Sequence, residues 1–278
     1  MKKVVSVVLM MILLLPCMVQ AETLDINSKE VQELNKRYNL LDFYYCSEIY
    51  LPYPGKTNSI ETMPDYYFSK MVTDFGGFPL ETAVTREKDT WPDGKKYEGE
   101  GTITYNVISK DEYNKAFAKL FGPDLEVKSI TKHNVNDTFV CGNYTYNSTT
   151  DDYEAQMVAN CGGPAFPLGR YIKAATKEEN SIILKFKYYW DENSSNTTTA
   201  DRMIGNVHPT NGFENVKINK NLNQSDIINK YDKYIDTYEF TFKKASDNNY
   251  YFYGVENMKD AKEYKAVTTT NKTTTKTT

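Results

Sequence analysis

Ser181-Ile182-Ile183-Leu184-Lys185-Phe186-Lys187-Tyr188-Tyr189-Trp190 is the stretch that decides the fold. Ile182, Leu184, Phe186, Tyr188 and Trp190 fall at every second position, with Lys185 and Lys187 between them. A period of two sends the two sets to opposite faces of a strand, one turned to a core and one wetter. The polar run Lys177-Glu178-Glu179-Asn180 joins this strand to Arg170–Thr176 as a hairpin. Working outward, Asp236–Lys244 and Asn249–Glu256 form another hairpin around Ser246-Asp247-Asn248, with Tyr238, Phe240 and Phe242 facing one way. Thr138–Tyr146 and Tyr153–Cys161 read as a third pair, and Thr102–Ile108 as a strand with Ile103, Tyr105 and Val107 on one face.

Helices precede and punctuate these strands. Asn27 or Ser28 can cap a helix within Asp25–Leu41, where Val31, Leu34, Tyr38 and Leu41 share a face. Pro64 suits a first helical position, because its missing N–H has no partner there in any case. Phe68, Met71, Val72 and Phe75 then form the apolar stripe, and Gly76-Gly77 stops it. Ser109-Lys110-Asp111-Glu112 is a capping box. It opens a helix to Phe121, with Tyr113, Ala116, Phe117, Leu120 and Phe121 on one face and Gly122-Pro123 as the stop. Ser225–Asp232 is a further short helix. Leu51-Pro52-Tyr53-Pro54-Gly55, residues 77–100 and Asp191–Ala200 read as loops. Helices followed by mostly antiparallel strands make the chain α+β, a curved sheet with helices packed on one face. The globular domain spans 22–262; the Thr-rich segment 263–278 cannot bury a core.

The N-terminus carries an address. Lys2 and Lys3 precede an apolar run from Val4 to Leu15, and Val19-Gln20-Ala21 offers a small-residue cleavage site. We read residues 1–21 as a signal peptide. The alternative, an uncleaved anchor, is disfavoured because the run falls short of the ~20 residues a spanning helix needs. Pro16 before Cys17 excludes a lipid-attachment site. Removing residues 1–21 removes two lysines and no acid, so the charge of −4 becomes −6. That balance lacks the basic stripe of a nucleic-acid binder.

Export allows disulfides to persist. Cys141 and Cys161 sit in neighbouring strands, both at odd positions, and are the expected pair; three buried thiols are the alternative. Closing that loop of 20 residues would stabilise the fold by about 3 kcal/mol on the chain-entropy view. Cys46 reads as a small buried hydrophobe, with a reactive or intermolecular thiol as its other reading.

Chemistry is sparse. Two histidines, His133 and His208, leave no tight ligand pair with Cys141 or Cys161, so no metal and no cofactor is expected. His208 before Pro209 reads as a turn residue. Nothing around Cys46 would activate a nucleophile. Acids such as Asp74, Glu87, Asp89, Asp93, Glu98 and Glu100 sit in turns and on helix faces, where they solvate loops; a glycosidase pair would have to come from such acids. Gly99-Glu100-Gly101 is no phosphate loop, since it lacks a third glycine and carries an acid.

Tyrosine is the excess, with 23 residues, including Tyr44-Tyr45, Tyr50, Tyr53, Tyr66-Tyr67, Tyr188-Tyr189 and Tyr250-Tyr251. A flat phenol face can stack on a sugar or a peptide at low entropic cost. Tyrosine also suits half-buried strands, the plainer reading. Alternation sends Tyr188 and Trp190 to the core and Tyr189 to the wetter face with Ile183, Lys185 and Lys187. Tyr189 is therefore the expected ligand-binding residue, and no catalytic residue is named.

The order helix, helix, strand, helix, then antiparallel strands resembles the NTF2-like cone, although the helix and hairpin after residue 220 depart from it. That resemblance implies a fold and no activity, because the fold hosts enzymes and binding proteins alike. Three segments are also similar to stretches of uncharacterised exported bacterial proteins. They are Asn27-Ser28-Lys29-Glu30-Val31-Gln32-Glu33-Leu34, the capped helix ending Lys119-Leu120-Phe121-Gly122, and Tyr238-Glu239-Phe240-Thr241-Phe242 with Asn249-Tyr250-Tyr251-Phe252. This likeness implies export and carries over no catalytic residue. The expected function is a secreted or wall-associated, non-enzymatic protein binding an extracellular ligand, wall glycan or protein. A hydrolase of wall glycan or peptide and a structural or assembly protein are the alternatives. No nucleic acid partner is expected, and no transmembrane helix after cleavage.

Overall fold

The computed structural model describes residues 21–38, 51–77, 84–90, 95–130, 144–156, 168–192, 202–208, 212–219 and 221–265. The expected signal peptide up to residue 20, the three remaining cysteines Cys46, Cys141 and Cys161, His133 and the tail from residue 266 lie outside these. The chain begins with β1 (Glu22–Thr23), α1 (Lys29–Arg37), β2 (Thr57–Ser59), α2 (Asp65–Phe75), β3 (Val84–Lys88), β4 (Ile103–Ser109) and α3 (Lys110–Phe121). It continues through β5 (Thr145–Asn147), β6 (Asp152–Gln156), β7 (Leu168–Lys177), β8 (Ser181–Glu192), β9 (Arg202–Asn206), β10 (Val216–Ile218), α4 (Gln224–Tyr231), β11 (Thr237–Lys244) and β12 (Tyr250–Asn257). The α+β class and the antiparallel pairing are as the sequence leads one to expect.

The strands divide between two sheets. The larger runs β1-β7-β8-β11-β12-β2, with β9 continuing the pairing of β8 and β10 pairing β9. The smaller runs β3-β4-β6-β5. Strand β3 lies in the region expected to be irregular. Its residues alternate weakly, and Val84 is exposed, so no period marks it out.

One face of the larger sheet carries Ile182, Leu184, Phe186 and Tyr188 from β8 and Tyr238, Phe240 and Phe242 from β11, all buried. Leu184 stands opposite Phe240, and Ile182 opposite Phe242. These residues share a core with Val31, Leu34 and Tyr38 of the first helical segment, Phe68, Met71 and Val72 of α2, and Tyr113, Phe117 and Leu120 of α3. Helix α3 packs on β12 of one sheet and on β4 and β6 of the other, so a single core spans both. In that core the Tyr113 and Tyr153 rings lie parallel, with centroids 3.8 Å apart.

The capping box forms as read. Ser109 Oγ accepts from the Glu112 N–H at 3.2 Å, and the Ser109 N–H donates to the Glu112 carboxylate at 2.9 Å. Helix α4 has the same device in a form the sequence reading passed over, Asn223 with Asp226. Ser109→Ala should cost about 1 kcal/mol in urea unfolding, the usual worth of such a cap. An unchanged midpoint would contradict it.

Candidate functional site

Tyr189 does not offer a binding face. It points away from Tyr188, as alternation requires, yet it is only 2% exposed. The far side of the sheet is not wet at this point. Ile204 and Val216 of the neighbouring strands β9 and β10, Phe213 of the connection between those strands, and Ile227 and Tyr231 of helix α4 pack with Tyr189 into a second core. The ring lies over Gly169, where an added Cβ would come within 2.0 Å of its Cζ. Trp190, expected in the main core, is half-buried at the end of β8, opposite Leu168 and Gly205.

The same covered side holds a buried lysine. Lys187 is 4% exposed, donates to the Ile235 carbonyl, and sits 3.5 Å from the Asp260 carboxylate. Burial lowers its pKa, and Asp260 and Asp232 oppose that shift. Around it, Asp232 accepts from Tyr171 and Lys173, and Asp260 accepts from both the N–H and the hydroxyl of Thr237. Asp236 accepts from the Ala261 N–H at 3.0 Å. The network ties the segment after β12 onto the sheet, and its charges are spent on one another.

Among the described residues, Asp152 and Glu154 on β6 share one arginine. Arg86 bonds to both, and Lys88 to Glu154. Asp152 is held below the usual carboxylate range because Arg86 and Thr150 outweigh its burial. Two acids neutralised by two bases are poorly suited to protonate a leaving group. Glu87 accepts from Thr102 and Thr104 instead. Among the described residues, no group of three or more His, Cys, Asp and Glu side chains is placed to hold a metal ion.

Among the described residues, the exposed aromatic is Tyr53, at 66%. Its loop is stiff for a local reason. Lys56 N–H donates to the Tyr53 carbonyl at 2.9 Å, with Pro54 and Gly55 between them and Gly55 at φ +69°. Proline at the second position and a left-handed glycine at the third are what a type II turn demands. Asn257, fully buried at the end of β12, then clamps the loop. Its amide reaches the Pro52 carbonyl, its N–H donates to Lys56 O, and its carbonyl accepts from Gly55 N–H.

Beneath Tyr53 lies His208, with ring centroids 4.1 Å apart and an interplanar angle of 26°. His208 is buried, and its Nε2 stands 2.7 Å from the Leu51 carbonyl oxygen, so that nitrogen carries the hydrogen. The reading of His208 as a mere turn residue missed this support. Tyr66 and Tyr67 form a second aromatic pair, 4.7 Å between centroids. Burial, then Tyr66, then Tyr53 push the Tyr67 phenol up to about 12. The arrangement leaves one face of Tyr53 open on a rigid mount, which is what stacking on a flat ligand needs.

Tyr53 was legible as one tyrosine in a Pro/Gly loop. His208 and Asn257 had no signal in the chain, because they meet the loop only through the fold. Compared with protein-family models, with characterised proteins and with solved structures, the chain matches none.

Proposed function

We propose that the protein is an exported, non-enzymatic binding protein that takes an extracellular ligand on the open face of Tyr53. The observation that carries this reading is the large, exposed ring, backed by His208 and mounted on a clamped turn. Export rests on the basic, apolar and small-residue pattern of residues 1–21. It is consistent with β1 starting at Glu22, the residue that cleavage after Ala21 would leave first. Among the described residues, no helix is long and apolar enough to cross a membrane.

The test is retention of purified protein on insoluble cell-wall polysaccharide. Tyr53→Ala should weaken retention about tenfold, the worth of one stacking ring. Its melting temperature should hardly move, because the ring is exposed and the turn is held by backbone bonds. Equal retention of the two proteins, or none by either, would sink the platform. Recovery of the native protein from its cells with residues 1–21 still attached would sink export.

A further inference from the structure

We propose that the ligand stacked on Tyr53 is an acidic saccharide, a sugar ring bearing a carboxylate held by Lys56 and Lys259. This rests on the platform reading and adds the chemical class. Lys56 closes the turn that carries Tyr53. The stem of Lys259 crosses the same turn, its Cδ 3.9 Å from where a Cβ on Gly55 would stand. Both side chains are exposed, and among the described residues neither ammonium has an acidic partner. Lys88, Lys110, Lys173, Lys177 and Lys185 each have one.

The backbone at Lys259 adds a second observation. It sits at φ +51°, in the left-handed region that a lysine rarely adopts. Its N–H is held there by the Asn257 side-chain oxygen at 2.9 Å. Asn257 therefore positions the aromatic turn and the Lys259 backbone together. Strain kept at an exposed position by a buried residue points to a placed group. The net charge of the chain is negative, so two cations without an acidic partner among the described residues, one on the turn that carries Tyr53 and one packed against it, give a local place where an anion is favoured. His208 occupies one face of Tyr53, so the ring takes a single sugar on the other. The ring supplies the flat contact and the two ammonium groups meet the carboxylate.

Polygalacturonate, alginate and hyaluronan, each beside its fully methyl-esterified form, separate ring from charge. Binding is read by titration calorimetry at low and at physiological salt. We expect at least one acid to bind, its ester to bind about tenfold more weakly, and salt to weaken only the acid. Lys56→Gln with Lys259→Gln should remove the difference between acid and ester at an unchanged melting temperature, and Tyr53→Ala should weaken both. An acid and an ester bound equally, with Tyr53 still required, would overturn the acidic class and leave the platform standing. Binding of none of the three acids would also overturn the class, and retention on wall polysaccharide then judges the platform separately. Poly-glutamate bound as well as the sugars, without need of Tyr53, would overturn both.

Discussion

Tyr189→Ala should destabilise the protein by about 3–5 kcal/mol, the cost of emptying a buried aromatic site. The ring is 2% exposed and packs with Ile204, Phe213 and Ile227, which come from three separate segments. Removing it leaves a cavity between the sheet and its cover. Trp190→Ala should cost clearly less, because Trp190 is half-buried at a strand end. Gly169→Ala should cost ~1–3 kcal/mol by overpacking, since its new methyl would meet the Tyr189 ring at 2.0 Å. Combined with Tyr189→Ala, that methyl enters vacated space, so the double variant should be more stable than the sum of the single costs implies. Urea unfolding of the four proteins decides it. A Tyr189→Ala protein that melts like the wild type, with Trp190→Ala worse, would show that the second core does not hold Tyr189.

Raising the pH should unfold the protein cooperatively between about pH 10 and 12. Burial lifts Tyr38 from 10 to about 12, partly offset by the Phe252 N–H that donates to its oxygen. Tyr144 and Tyr189 are raised to about 12 as well, and Tyr113, Tyr171 and Tyr238 are raised further, with burial the largest cause in each. A phenol whose pKa is raised in the folded state contributes its full stability below the unfolded value near 10. That contribution is lost as pH climbs towards the folded value, because the unfolded chain ionises first. For Tyr38 alone, two units correspond to about 3 kcal/mol. Several such groups together exceed what a domain with ~5–15 kcal/mol of stability can lose. Lys187 runs the other way: its penalty eases as pH rises towards 10.5, so the loss sets in only above about pH 10. Tyrosinate absorbance and far-ultraviolet circular dichroism should therefore change together. A tyrosinate titration centred near 10 with the dichroism intact would contradict this account.

How much of this was legible depended on the range of the interaction involved. The buried face of β8 and β11 followed from alternation alone, and the helix opened by Ser109 followed from four consecutive residues. Strand β3 did not, because its edge position leaves it exposed and without a period. The short β9 and β10 were passed over too: three consecutive buried positions break the alternation of β9, and β10 has only three residues. Their absence from the reading is what misplaced Tyr189. Without a cover on the far face of β8, the residue between the lysine positions and the strand end could only be read as wet.

The amino-acid sequence by itself determined the long strands β8 and β11, the Ser109 cap, the class of the fold and the side of β8 to which each side chain points, because backbone pleat and capping are local. The tertiary structure alone decided which of those sides meets water. Tyr189 is covered by α4, some forty residues on, and Tyr53 stays open because Asn257, 205 residues from Pro52, holds its loop outward. Burial is a property of what lies opposite, and contacts over such separations leave no period in the chain.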